Sequence, residues 1–424
     1  MAEINKGSSK KQGYRETKLG LIPKEWKVLS LGKIGEFSKG KGVAKKDILE
    51  TDVKGFSSIR YAEIYTLYDY YTHSLRTKIN EESARNSNPI NNGDILFASS
   101  GETLEDIGKS VVYLGNETAY AGGDIIILKQ NSQDSKYLGY LLNSDLVRNQ
   151  LFKLGQGHSV VHIYSSGLKK VLIPLPSLPE QQKIAQILTI WDKAIAAQEK
   201  LIAQKQALKK GLMQQLLTGK KRFAGFEDKW IKTELKEIGT IIRGASPRPK
   251  GDPKYYGGNV PRLMVKDVTR DGKYVTPKID FLTEAGAEKS RPCKAGTLTI
   301  VCSGDVGVPS FLAVDACIHD GFLAIINLDN KIIKPDFLYY QLKRLRTRME
   351  RSATHGGVFT NLTTTILKEF IIEIPSVQEQ LAIINVLSKT DKELEREEFK
   401  LKNLNSQKQG LMQQLLTGEK RVKI

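Results

Sequence analysis

The sequence predicts an α+β protein in which two strand-rich globular domains alternate with two long helices that pair as an antiparallel coiled coil. Three observations predict it. The nine residues Gly211 to Gly219 recur unchanged at Gly410 to Gly418, and each copy runs on into a Lys-Arg pair, Lys221-Arg222 and Lys420-Arg421. The residues just before each copy lack glycine and proline over long stretches, whereas the rest of each repeat is rich in Gly, Pro, Tyr and β-branched residues. Apolar residues in the long stretches recur at alternating steps of three and four, the mark of a helix with one sticky stripe.

The repeat extends backward from the shared motif at an offset of about 200. Pro176 to Gln181 answers Pro375 to Gln380, and Asp192-Lys193 answers Asp391-Lys392. Trp26 with Leu31, Ile34 and Gly35 answers Trp230 with Leu235, Ile238 and Gly239. Gly93 to Leu96 followed by Ser100-Gly101-Glu102 answers Gly296 to Thr299 followed by Ser303-Gly304-Asp305. A period this long exceeds any solenoid repeat and marks a domain duplication. The organisation read from it is a polar N-terminal tail over 1–17, a globular domain over 18–177 and a helical spacer over 178–222. A second globular domain follows over 223–376 and a second spacer over 377–424.

Within the globular domains, short apolar runs such as Ile125 to Leu128, Val171 to Ile173 and Phe370 to Ile372 are bounded by turn residues and read as strands. Helices are expected over Tyr137 to Leu151 and Asp336 to Met349. The long stretches 178–217 and 377–416 read as single helices, each about 57 Å long at the α-helical rise. The pairing stripe is Leu188, Trp191, Ile195, Ile202, Leu212 and Leu216 on the first, with polar Gln198, Lys205 and Lys209 interposed. On the second it is Leu387, Leu394, Leu401, Leu404, Leu411 and Leu415, with Thr390, Glu397 and Lys408 interposed. Each stripe either folds back on its own domain or meets the other, and two equal stripes in one chain satisfy each other directly. An antiparallel pair would relate the two domains by a pseudo-two-fold axis. Two such heads suit two DNA half-sites about one helical turn, roughly 34 Å, apart.

Composition narrows the partner. Sixty-five Lys and Arg against 47 Asp and Glu leave a formal charge of +18, a surplus that draws a protein to polyanions, nucleic acid foremost. Three scattered cysteines without a C-x-x-C pair fit a reducing compartment. The N-terminus has no apolar signal region and no run approaches the ~18 apolar residues of a membrane span, so a cytoplasmic protein is expected.

Catalytic signatures fail on inspection. Gly108-Lys109-Ser110 resembles the end of a phosphate loop, but Thr103 stands where the pattern needs glycine. The only Asn-Pro, Asn88-Pro89, is followed by Ile90, which does not make a methyltransferase base-gripping motif. Cys317 and His319 lack a second pair at zinc spacing. No nucleophile elbow marks a hydrolase.

Signals for nucleic acid are more consistent. A basic, glycine-containing loop opens each domain at the same repeat position: Lys39, Lys41, Lys45 and Lys46 in the first, Arg243, Ser246, Arg248 and Lys250 in the second. Arg60-Tyr61 and Lys266, Asp267, Thr269 and Arg270 follow. Ser99, Ser100 and Glu102 close a strand in the first domain, as Ser303 and Asp305 do in the second. Gln156, His158, Ser159 and His162 close the first domain; His355, Thr360 and Asn361 close the second. These are the residue types that read base edges, although each also suits a turn or a cap.

Leu175-Pro176 followed by Glu180-Gln181, opening a helix that ends in the Gly211 to Arg222 motif, resembles the helical regions of type I restriction-modification specificity subunits. The lead-ins Gly20 to Trp26 and Phe223 to Trp230 resemble the same family, and the likeness runs from about Gly13 to Arg421. The resemblance implies two target-recognition domains, each reading one half of an asymmetric bipartite DNA site, with the coiled coil setting the spacer. It implies two methyltransferase subunits bringing S-adenosylmethionine and, where present, two restriction subunits using ATP and Mg. It implies no catalysis, cofactor or metal in this chain. An enzyme carrying recognition domains and a DNA-free scaffold are the rival readings: the first needs a catalytic motif, the second predicts no salt-dependent DNA affinity.

Overall fold

The computed structural model describes residues 12–50, 53–155, 161–356 and 359–424, with the backbone alone at 354–356 and 359–360. The chain divides into two compact units, Met1–Glu199 with Lys400–Ile424, and Lys200–Phe399. Each unit therefore holds one globular domain, a half of the helix Leu178–Leu216 and a half of the helix Val377–Leu416.

Both domains are built alike. In the first unit a five-stranded sheet runs in the order Glu36–Lys39, Ile125–Lys129, Ile95–Ala98, Ser110–Tyr113, Tyr71–Thr72. A four-stranded sheet runs Thr77–Ile79, Phe56–Ile59, Ala119–Ala121, Asn88–Ile90. The second unit repeats both orders strand for strand, with Thr240–Arg243, Phe322–Ile326, Leu298–Val301, Pro309–Leu312 and Tyr274–Val275 in the larger sheet. Even the one parallel pairing in each sheet recurs, as Tyr71 with Val112 and Tyr274 with Phe311 show in the larger one.

The continuous apolar runs are explained by this architecture. Successive side chains of a strand face opposite ways, so a strand that reads apolar throughout is buried on both faces. Ile126 and Leu128 enter one core, Ile125 and Ile127 the other. Leu323 and Ile325, against Phe322 and Ala324, do the same in the second unit. The larger sheet is thus a wall between two cores. One core includes the unit's helix ends (Ile184, Leu188 and Leu415 in the first unit, Leu216, Ile383 and Leu387 in the second), and the other includes the four-stranded sheet.

The helix halves run antiparallel within each unit. In the second, Lys205 pairs with Glu393 at 2.9 Å, Lys209 with Asp391, and Arg222 with Glu379 at 2.7 Å, the partner number falling as the first rises. In the first, Arg421 meets Glu180 and Lys408 meets Asp192. None of the twelve stripe residues is exposed, whereas Ile190, Leu208 and Phe399, off the stripe, are 59%, 60% and 65% exposed. The polar stripe members also have partners: Lys408 and Lys209 each complete a Tyr–Asp–Lys chain, Tyr140–Asp192–Lys408 and Tyr340–Asp391–Lys209. Burial, followed by the aspartate, pushes both phenols up, so each is a neutral donor.

The repeated Glu-Gln pairs lock the helix starts. Glu180, 1% exposed, accepts from Trp26 Nε1 at 3.2 Å and from Arg421 Nε at 2.5 Å and Nη2 at 2.9 Å. Glu379, equally buried, accepts from Trp230 Nε1 at 3.2 Å and from Arg222 Nε and Nη2 at 2.9 and 2.7 Å. Gln181 and Gln380 tie down the adjoining loops, accepting from Asp134 N and Lys334 N and donating to Pro176 O and Pro375 O.

One expectation is corrected. The single helix over Tyr137 to Leu151 is two, Ser135–Leu142 and Asp145–Phe152. Asn143 donates to Gly139 O and Ser110 O, and Ser144 Oγ to Leu141 O, so short polar side chains take the carbonyls that a continuous helix would use. Near the N-terminus, the strand Tyr14–Thr17 pairs with Gly20–Pro23 and is anchored by Tyr14 Oη on Gly418 O at 2.6 Å.

Removing Arg421 leaves Glu180 buried without its cation, so Arg421→Ala is expected to cost about 3 kcal/mol in chemical denaturation. Arg85→Ala, which breaks an exposed pair with Glu81, should cost no more than about 0.5 kcal/mol. Equal effects of the two would refute the clamp.

Candidate nucleic-acid interface

The strand Ala119–Ala121 of the smaller sheet passes into Ile125–Lys129 of the larger one through the turn Gly122-Gly123-Asp124. Three separate segments gather there through four backbone bonds. Gly40 N donates to Ile125 O (2.8 Å), Lys41 N to Ala121 O (3.0 Å), Ser99 N to Asp124 O (2.9 Å), and Ile163 N to Ser99 O (2.9 Å). The second unit repeats the set around the turn His319-Asp320-Gly321: Gly244 N to Phe322 O (2.9 Å), Ala245 N to Ile318 O (3.1 Å), Cys302 N to Gly321 O (2.8 Å) and Leu362 N to Cys302 O (2.9 Å). Backbone donors and acceptors do this work, so the frame survives when side chains change.

The approach at its first member is too close for any side chain. A Cβ on Gly40 would stand 2.0 Å from Gly122 O, and one on Gly244 would stand 2.0 Å from His319 O. Both basic loops hang on these glycines. Lys39, Lys41, Lys45 and Lys46 are exposed around the first. Arg243, Arg248 and Lys250 are exposed around the second, with Arg243 Nε on Asp320 O and Arg248 3.6 Å from the Asp320 carboxylate.

The other sequence-predicted residues divide by environment. Arg60 and Tyr61 begin a short helix beside the first turn, since Gly122 N bonds Ile59 O, and both are partly exposed. His162 shares a concavity with Lys39, Ser99 and Asp124, and its Nδ1 lies 2.9 Å from Ser100 Oγ. Asn361 occupies the matching place, bridged to Ser303. Glu102 and Asp305 are exposed, Asp305 pairing with Arg346. Ser246 Oγ accepts from Arg262, while Lys266 and Thr269 are exposed on the helix Val265–Asp271. Gln156, His158 and Ser159 lie outside the described residues, and of His355 and Thr360 only the paired backbone is described.

Three residues read as DNA contacts are buried, and a fourth, Arg270, is exposed but held within the protein. Ser99 and Ser100 are 6% and 2% exposed, spent on the frame and on His162. Asp267 is fully buried and caps its helix through Met264 N. Arg270 gives its donors to Asp267, Asp271 and Thr276 O. Donors and acceptors spent within the protein are not free for bases.

Sequence reading missed Asp124, Tyr164, Arg291, His319 and Asp320. Arg291 Nε donates to Arg243 O at 3.2 Å, and Tyr164 is 58% exposed beside His162. Burial lowers the His319 pKa, and the neutral ring accepts from Gly321 N and donates to Asp320 Oδ1. The turns that hold Asp124 and Asp320 match in position but in no residue type, which hid them from a search for repeats. Burial also pushes the Cys302 thiol up to about 11, leaving an unreactive filler. Among the described residues no group of His, Cys, Asp or Glu could hold a metal ion, and no helix is long and apolar enough to cross a membrane.

Gly40→Ala should force the loop off its turn, costing about 2 kcal/mol. Amide exchange should quicken at Gly40, Lys41 and Ser99 but not at Gly244 and Ala245. Unchanged exchange in the first set would contradict the frame.

Comparison with known proteins places this geometry. The family model described as the type I restriction modification DNA specificity domain matches residues 23–205 and again 227–405. Over 98% of this chain and 98% of its own, a protein of Methanocaldococcus jannaschii described as the MjaX type I restriction enzyme specificity subunit is 28% identical. The MjaVIII specificity subunit of the same organism is 25% identical over 98% of this chain and 97% of its own. In fold, the chain resembles a type I restriction-modification S subunit from M. genitalium, with a TM-score of 0.55 at 17% identity over 92% of this chain and 96% of that one. It also resembles a chain from a structural study of type I R-M complex assembly, with a TM-score of 0.61 at 19% identity over 94% and 99%. Matched twice over most of its length, the protein belongs to the type I restriction modification DNA specificity domain family and carries two copies of that domain in tandem.

Proposed function

We propose that this chain is the recognition subunit of a type I restriction-modification complex and reads an asymmetric bipartite DNA sequence, one half-site per domain. The observation that carries this reading is the frame itself. Two domains share the same backbone bonds and the same glycine contact, yet display different side chains: lysines with His162 in one, arginines with Asn361 in the other. A constant frame with divergent loops suits two readers of two sequences. Lys39, Lys41, Lys45, Lys46, Arg248 and Lys250 contact phosphates, which position the protein. Arg60, Tyr61, Glu102, His162, Arg243, Lys266, Thr269, Asp305 and Asn361 are the candidates for base edges and their flanks. Gln156, His158, Ser159, His355 and Thr360 belong to the same surface on sequence grounds.

The chain itself does no chemistry. Two methyltransferase subunits supply S-adenosylmethionine, and two restriction subunits, where present, supply ATP- and Mg-dependent cleavage. The number of helical residues between the domains sets the spacer between half-sites.

Replacing residues 18–177 with the corresponding domain of another family member should change one half-site in methylation maps and leave the other intact. A change in both would overturn the two-headed reading. Inserting one helical turn of residues into the 178–217 helix and its partner stretch should lengthen the spacer and preserve both half-sites. In salt titrations of DNA binding by the assembled complex, changing Lys41, Lys45 and Lys46 together to alanine should flatten the log–log salt slope by about 3 for every sequence tested. An unchanged slope would remove that loop from the interface.

A further inference from the structure

Asp124 lies at the turn on which the first frame converges. It stands at φ +57°, a left-handed conformation that aspartate tolerates better than most residues, and the bond from Ser99 N to its carbonyl fixes the turn. Its side chain is exposed in the concavity that also holds Lys39, His162 and Tyr164. Several carboxylates of this domain are spent within the protein: Asp47 on Ala44 N, Glu63 on Arg60 N and Thr77, and Asp106 on Thr103. Among the described residues, the Asp124 carboxylate has no such partner. At the equivalent turn of the second domain, Asp320 is held by His319 Nε2 at 3.0 Å and faces Arg248.

An unpaired carboxylate in a basic interface is repelled by phosphate. It fits a DNA surface where it can accept a hydrogen bond, and the donors that DNA offers in the major groove are the exocyclic amines of cytosine and adenine. Adenine pairs best with an amide that both donates and accepts, whereas an acceptor-only group matches the cytosine amine. We infer that Asp124 is a specificity-determining residue of the first half-site, accepting a hydrogen bond from the N4 amine of a cytosine. This inference rests on the DNA-reading function proposed above. Because Gly321 stands at the position of Asp124 and Asp320 is already bonded to His319, the second half-site has no counterpart to this contact.

The test is methylation mapping in cells carrying the full complex, with wild-type chain, Asp124→Asn and Asp124→Ala. The wild-type map tests the underlying reading separately: without a bipartite motif, that reading fails before Asp124 is considered. With the motif present, Asp124→Ala should relax one C·G position of one half-site by about tenfold. Asp124→Asn, which keeps the left-handed turn and adds a donor, should shift preference at that position toward adenine. The second half-site and the spacer should not change. Should the alanine variant fail to fold, as its melting curve would show, the asparagine variant decides. An unchanged motif, an equal loss at all sequences, or relaxation in the second half-site overturns the assignment.

Discussion

A carboxylate buried to 1% exposure must be paired, and Glu180 and Glu379 are paired by arginines carried on the opposite repeat. Arg421 closes on the helix start of the first repeat, Arg222 on that of the second. Each clasp includes the tryptophan that leads into the adjoining domain. The clasp therefore fastens three things at once: the start of one long helix, the end of the other, and the globular domain between its lead-in and its helix. Neither repeat completes a compact unit alone, which is why the units cross the duplication boundary at the middle of both helices.

From that anchor the remaining architecture follows in order. The helix ends supply apolar surface to the first core of each domain, the larger sheet separates it from the second core, and the two sheets meet at a turn. Loops that must vary are tied to that turn by main-chain bonds alone. A recognition surface built this way can exchange its side chains without disturbing what holds them, provided Gly40 and Gly244 remain. The two domains carry the outcome of such exchange, with Cys302 in the place of Ser99 and Asn361 in that of His162.

Much of the fold was legible in the sequence because its signals are local or repeated. Identical nonapeptides gave the duplication, Ile125 to Leu128 gave a strand, and the three-four spacing gave a stripe whose members are all sheltered. The break at Asn143 was not legible, since it depends on Ser110 from a distant strand. The clasps were half visible: Trp26, Glu180 and Arg421 were each matched to a counterpart, but their meeting depends on antiparallel helices joining residues 241 positions apart. At the site, position was more legible than role. The basic loops and closing segments do converge on one turn per domain, whereas Ser99, Ser100 and Asp267 are buried and the exposed Arg270 gives its donors to Asp267, Asp271 and Thr276. Asp124 escaped notice because no residue type repeats at its turn.

The central claim is that one duplicated scaffold presents two different readers. Single-molecule mapping of modified bases in DNA from cells carrying the wild-type chain and its partner subunits tests it most directly. The account predicts a motif of two unlike half-sites separated by a spacer of fixed length and unspecified sequence. A palindromic motif, or one continuous block of specified bases, would contradict it.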